Sequence, residues 1–165
     1  MALKDWPYAG FPGIAVNPRT LVPEVVDEEE CAAALAQSTD PADEVFVLLA
    51  QGRVAEAAEA AAEARLKDPD SFRLQVYDAD ILRATKQTAL ALQRLKALGA
   101  RVANTPDESW VHHQMGKVHF GAGNYEAAAR SFATALEQRV AAGADAAAIY
   151  SSTVSLRRAR DLAEQ

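Results

Sequence analysis

Gly123-Asn124-Tyr125-Glu126-Ala127-Ala128, with Phe132, Ala135 and Leu136 behind it, decides the reading of this chain. An earlier stretch, Gly52-Arg53-Val54-Ala55-Glu56-Ala57, repeats the pattern and continues through Ala61 and Ala64 to Asp68-Pro69. In each, a glycine marks a turn, since it alone enters left-handed backbone without steric cost. The alanines behind it favour helix, because alanine loses no side-chain entropy there. Working outward, Asp40-Pro41 reads as a cap with proline in the first helical turn, and residues 54–67 as a helix in which Glu63 and Lys67 can pair. Residues 72–84 and 88–98 form a further helical pair, followed by a loop over 99–104. Thr105-Pro106-Asp107-Glu108 has the spacing of a capping box, and helices follow over 110–121, 125–139 and 145–163. No alternating segment predicts a strand.

This is the composition of an all-α chain. Of 165 residues 37 are alanine, whereas 8 are glycine and 7 proline, which excludes collagen, low-complexity disorder and a disulfide scaffold. The net charge of −6 argues against nucleic acid or an anionic membrane as partner. No run approaches the roughly 18–20 apolar residues of a membrane span, residues 1–10 lack the apolar core of a secretory signal, and a lone Cys31 fits a reducing compartment. A cytoplasmic location is expected. Residues 20–52 carry eight acids and no Lys or Arg, whereas residues 73–101 are basic. Such runs are either solvated helix faces or complementary surfaces.

Residues 1–22 read as an extended arm rich in proline and aromatics (Trp6, Pro7, Tyr8, Phe11, Pro12, Pro18), ahead of a helical domain over 23–165 in which Pro23 opens the first helix. The arm's aromatics can dock on their own domain, cover a binding groove, or insert into a second copy.

The repeated stretches resemble the tetratricopeptide repeat, a helix-turn-helix unit of about 34 residues. On that frame one repeat covers residues 109–142, with Gly116 at the small position of the first helix, Gly123 in the turn, then Tyr125, Ala128, Phe132 and Ala135. Another covers residues 38–71 through Ala57, Ala64 and Pro69. A third, over 72–98, matches at Ala79, Leu82, Ala91, Leu95 and Leu98 without a turn glycine, and about three residues are inserted over 99–104. Glu44, Asp78 and His112 depart from the family's preferences. The resemblance implies a helix-turn-helix solenoid of about three repeats, with residues 23–37 and 145–163 as capping helices.

It also implies a concave peptide-binding face. Carried over by offset, that face consists of Phe46 and Leu49 in the first repeat, Arg73, Val76, Asp80 and Arg83 in the second, and Trp110, His113, Lys117 and Phe120 in the third. Apolar anchors mixed with net positive charge suit an acidic protein or peptide.

No catalytic constellation stands out. His112 and His119 are seven residues apart, too far for two ligands on adjacent turns, so no metal is expected; they read as packing residues and His113 as a surface one. The glycines at 121 and 123 follow a helix rather than opening one after a strand, which excludes a phosphate loop. Ser151, Ser152, Thr153 and Ser155 lack a partnered base. The expectation is a non-enzymatic interaction module or adaptor without cofactor. The alternative is a structural protein forming homo-oligomers through its arm and its complementary charged faces.

Overall fold

The computed structural model describes residues 1–165. Eight helices follow a short N-terminal hairpin: β1 (Ile14–Val16), β2 (Pro23–Val25), α1 (Glu28–Gln37), α2 (Pro41–Ala50), α3 (Val54–Lys67), α4 (Phe72–Ala84), α5 (Thr88–Arg101), α6 (Asp107–Gly121), α7 (Tyr125–Ala141) and α8 (Ala146–Ala163). The chain is all-α apart from that hairpin, and no helix is long and apolar enough to cross a membrane.

Side-chain caps set several of the helix starts. Asp27 accepts from Glu30 N, Asp40 from Ala42 N at 2.9 Å with Pro41 behind it, Ser71 from Leu74 N and Asp145 from Ala148 N at 2.8 Å. The expected capping box, which would join Thr105 to Glu108 N and the Glu108 side chain back to Thr105 N, does not form. Thr105 Oγ1 accepts from Asp107 N, but the Glu108 carboxylate binds the Gln138 side chain instead of reaching back. Glu63 and Lys67 do not pair; Arg65 of α3 pairs with Asp78 of α4, which accounts for the acid at position 78.

Three helix-turn-helix units recur: α2 on α3, α4 on α5, α6 on α7, with α2 touching α4 and α4 touching α6 along one side. Their turns share one hydrogen-bond pattern. Arg53 N, Gln87 N and Asn124 N each donate at 2.9 Å to a carbonyl five residues back, on Leu48, Leu82 and His119. The residue before each donor has positive φ: Gly52 at 75°, Gly123 at 80° and, in the middle unit, Lys86 at 65°. Lys86 thus fills the turn position for which the sequence shows no glycine, at a local cost of about 1–2 kcal/mol. Five residues on, Ala57, Ala91 and Ala128 are wholly buried, as are Ala61, Leu95 and Phe132 nine residues on. Gly116 faces the last of these; a Cβ there would lie 2.5–2.9 Å from three carbons of the Phe132 ring.

Two expectations are corrected. Helix α5 runs on to Arg101 and α6 starts at Asp107, so the loop over 99–104 is shorter than read. The N-terminus is neither an isolated arm nor free of strands. Pro23 lies in β2, where Ile14, Ala15 and Val16 pair with Val25, Glu24 and Pro23, and α1 begins only at Glu28. A proline has no N–H for a ladder but is tolerated at a strand's first residue. The hairpin spans the boundary at 22/23. Phe11 and Ile14 share the main core with Val45, Phe46 and Val76, while Leu21, 1% exposed at the hairpin tip, packs with Phe132, Leu156 and Ala159 at the other end. Tyr150 Oη donates to Asp5 O at 2.7 Å and Arg158 Nε to Arg19 O at 3.2 Å. Of the three arrangements open to the arm's aromatics, the fold contains docking on the parent domain, laid across its inner helices.

Candidate functional site

The hairpin does not fill the inner face completely. A cleft of about 560 Å³ remains between residues 8–10 and the tip strands on one side, and α2, α4, α6 and α8 on the other. Its apolar wall is aromatic: Phe46 stacks on Tyr77 with centroids 5.5 Å apart, and Trp110 stands edge-on to Tyr77 at 6.2 Å. Its polar wall comes mainly from α6, through His113, Gln114 and Lys117, with Arg139 from the end of α7 and Asp145 and Ser151 from α8.

Charge below this wall is tightly paired. Asp80 accepts from Arg83 Nε at 2.7 Å and from Lys117 Nζ at 3.3 Å, all three largely buried. Burial alone would raise the Asp80 carboxyl, but Lys117 and Arg83 outweigh it and hold it at about 2. Lys117 is lowered by burial and by Arg83, with Asp80 opposing. His113 Nδ1 lies 3.0 Å from Ser152 Oγ, which already accepts from Arg139 Nη1 at 2.8 Å. Ser152 Oγ thus bridges Arg139 and the imidazole, and its hydroxyl can give or take the Nδ1 bond according to the ring's tautomer. Burial, then the Arg139 and Lys117 charges, keep His113 well below the usual histidine range, so it is neutral.

The sign of the resulting pH dependence follows. His113 is depressed in the fold and close to 6.5 when unfolded, so its contribution is present above that value and lost as pH falls below it. His119, lowered by burial, adds the same sign. Asp80 adds a second loss, below about 4 and down to 2. We expect the urea midpoint to fall between pH 7 and pH 5 and His113→Gln to remove most of that fall; an unchanged slope in the variant would exclude His113 as its source.

Of the ten inner-face positions, Phe46, Trp110, His113 and Lys117 meet at the cleft. Leu49 and Val76 are core residues. Asp80 and Arg83 form the ion pair behind Lys117. Phe120 packs edge-on to Tyr125 at 5.3 Å. Arg73 turns away to Asp40 at 2.6 Å and Asp43 at 2.8 Å and holds α4 to the start of α2, so at this point the acidic and basic runs complement one another within the chain. The histidine reading is reversed: His113 is the buried one, because α6 presents it beneath the hairpin, while His112 and His119 are half-buried.

Tyr77 and Gln114 were missed, although each follows an inner-face position by one residue in the repeat frame and that offset could have found them. Tyr8 and Arg139 gave no such signal, since each reaches the cleft from outside the first helices of the repeats. No protein-family model, curated protein or solved structure matches this chain.

Proposed function

We propose that the chain is a non-enzymatic binding module, a tetratricopeptide-type scaffold that receives an acidic segment of a partner protein at the cleft beside its hairpin. The observation that carries the reading is the convergence of Phe46, Tyr77, Trp110, His113 and Lys117, from three helices, on one cleft. Such a mixture of aromatic wall and few polar groups is the usual make-up of a binding site. The equivalent turns and buried positions of the three units support the repeat assignment. With the hairpin covering the rest of the inner face, the partner engages through a short segment rather than an extended peptide along all three units.

The test is capture from the source cell on immobilised protein, read by mass spectrometry, with Trp110→Ala and Arg139→Gln beside wild type. A partner held by wild type and lost by variants with native circular dichroism is the expected result. Recovery of the same proteins by all three would remove the cleft from the interaction.

A further inference from the structure

The polar wall of the cleft has more hydrogen-bonding capacity than the protein uses. Gln114 is 9% exposed, lines the cleft, and its amide makes no hydrogen bond within the chain. With no partner in the protein, the amide opens onto the cleft, where it can give and accept hydrogen bonds. His113 is 7% exposed and spends Nδ1 on Ser152, which leaves its Nε2 without a partner in the protein. Lys117, equally buried, has three N–H donors and one long contact, to Asp80. Arg139 gives Nη1 to Ala148 O and Ser152 Oγ, both neutral, and meets no carboxylate within ion-pairing distance. The site's cations are Lys117, Arg83 and Arg139; its anions are Asp80, consumed by the first two, and Asp145 at the rim, which caps α8. One positive charge is left over, and the donors point the same way.

We infer that this cleft binds a small organic acid, with a carboxylate among Lys117, Gln114 and His113 and a flat apolar body against Phe46, Tyr77 and Trp110. The inference rests on the cleft being a binding site and goes beyond the proposed function by giving that site a small-molecule occupant in place of a protein segment. The polar groups at the inner end are mainly donors, which matches an acceptor-only oxyanion. The far wall is a run of aromatic faces and edges, which matches a planar ring system rather than a flexible chain. A volume of about 560 Å³ suits a molecule of that size.

The probes are trans-cinnamate, its neutral isostere cinnamamide, and an acetylated, amidated peptide containing Glu and Phe, titrated into the full chain by calorimetry and by thermal shift. Cinnamate is expected to bind and raise Tm, with cinnamamide at least about tenfold weaker, because a charge-assisted hydrogen bond is lost. Gln114→Leu tests the wall without endangering the fold, since it removes a group that has no partner in the protein. It should leave the ligand-free Tm unchanged or raised and weaken cinnamate about tenfold. Equal binding of acid and amide, or cinnamate affinity untouched in Gln114→Leu, overturns the inference. Binding of the peptide but not of cinnamate overturns it too, while leaving the interaction module standing. If neither probe binds and no captured protein depends on Trp110, both fall together.

Discussion

Asp80→Ala should destabilise the protein by about 3–5 kcal/mol, the usual cost of leaving one member of a buried ion pair without its counter-charge. The reason lies in the arrangement around the carboxylate: Lys117 is 7% exposed, and its one ionic partner is Asp80. Arg83, bound to the same carboxylate oxygen, would add a second unmatched charge. The double variant Asp80→Leu/Lys117→Met should recover part of the loss, because it removes the Lys117 charge together with that of Asp80, while Arg83 stays without its counter-charge. Urea denaturation of the two variants beside wild type makes the measurement. If Asp80→Ala costs less than about 1 kcal/mol, the range of a surface pair, the ion pair does not behave as a buried one.

Gly13→Ala is expected to cost on the order of 3 kcal/mol, combining a strained backbone with overpacking. Gly13 has φ of +77°, and an added Cβ would overlap Asp27 O and lie 2.8 Å from Cys31 N. These are backbone atoms of the α1 start and cannot swing aside as a side chain would. The Gly13 carbonyl also accepts from Val26 N at 2.8 Å and Asp27 N at 3.2 Å, so a shift there breaks the join between hairpin and α1. Because the hairpin forms one side of the cleft, the variant should also show faster hydrogen exchange at Ile14 and Val16 than at Val45. Uniform acceleration across the chain would mean that the hairpin and helices unfold as one unit.

By itself the sequence determined the helical class and the turns and buried alanines of the first and third units, and it left the register of the middle unit open. Alanine, glycine and proline carry that information locally: Asp40-Pro41 starts α2, Gly52 and Gly123 end the first helices of their units, and Ala57, Ala91 and Ala128 sit where helices meet. Such signals act over one helical turn, which is why they read correctly without the fold. In the fold the middle unit, whose turn holds Lys86 in place of glycine, falls into the same frame because its buried positions recur at the same offsets.

Tertiary structure decided the site. Strands of three residues carry too little periodicity to read, and Pro23 follows an apolar pair just where a helix start would be expected. Their pairing is long-range, and the hairpin finds its place through Phe11, Ile14 and Leu21 meeting residues up to 138 positions away in sequence, at Ala159. Once it lies beside α2, α4 and α6, it bounds a cleft with them. Asp80, Arg83 and Lys117, read as groove charges, then bind one another beneath it, and Gln114 and Arg139 become the groups with bonds to offer. Desolvation makes that difference: a charge on an open face is free to choose a ligand, whereas the same charge under a lid must first find a partner inside the protein.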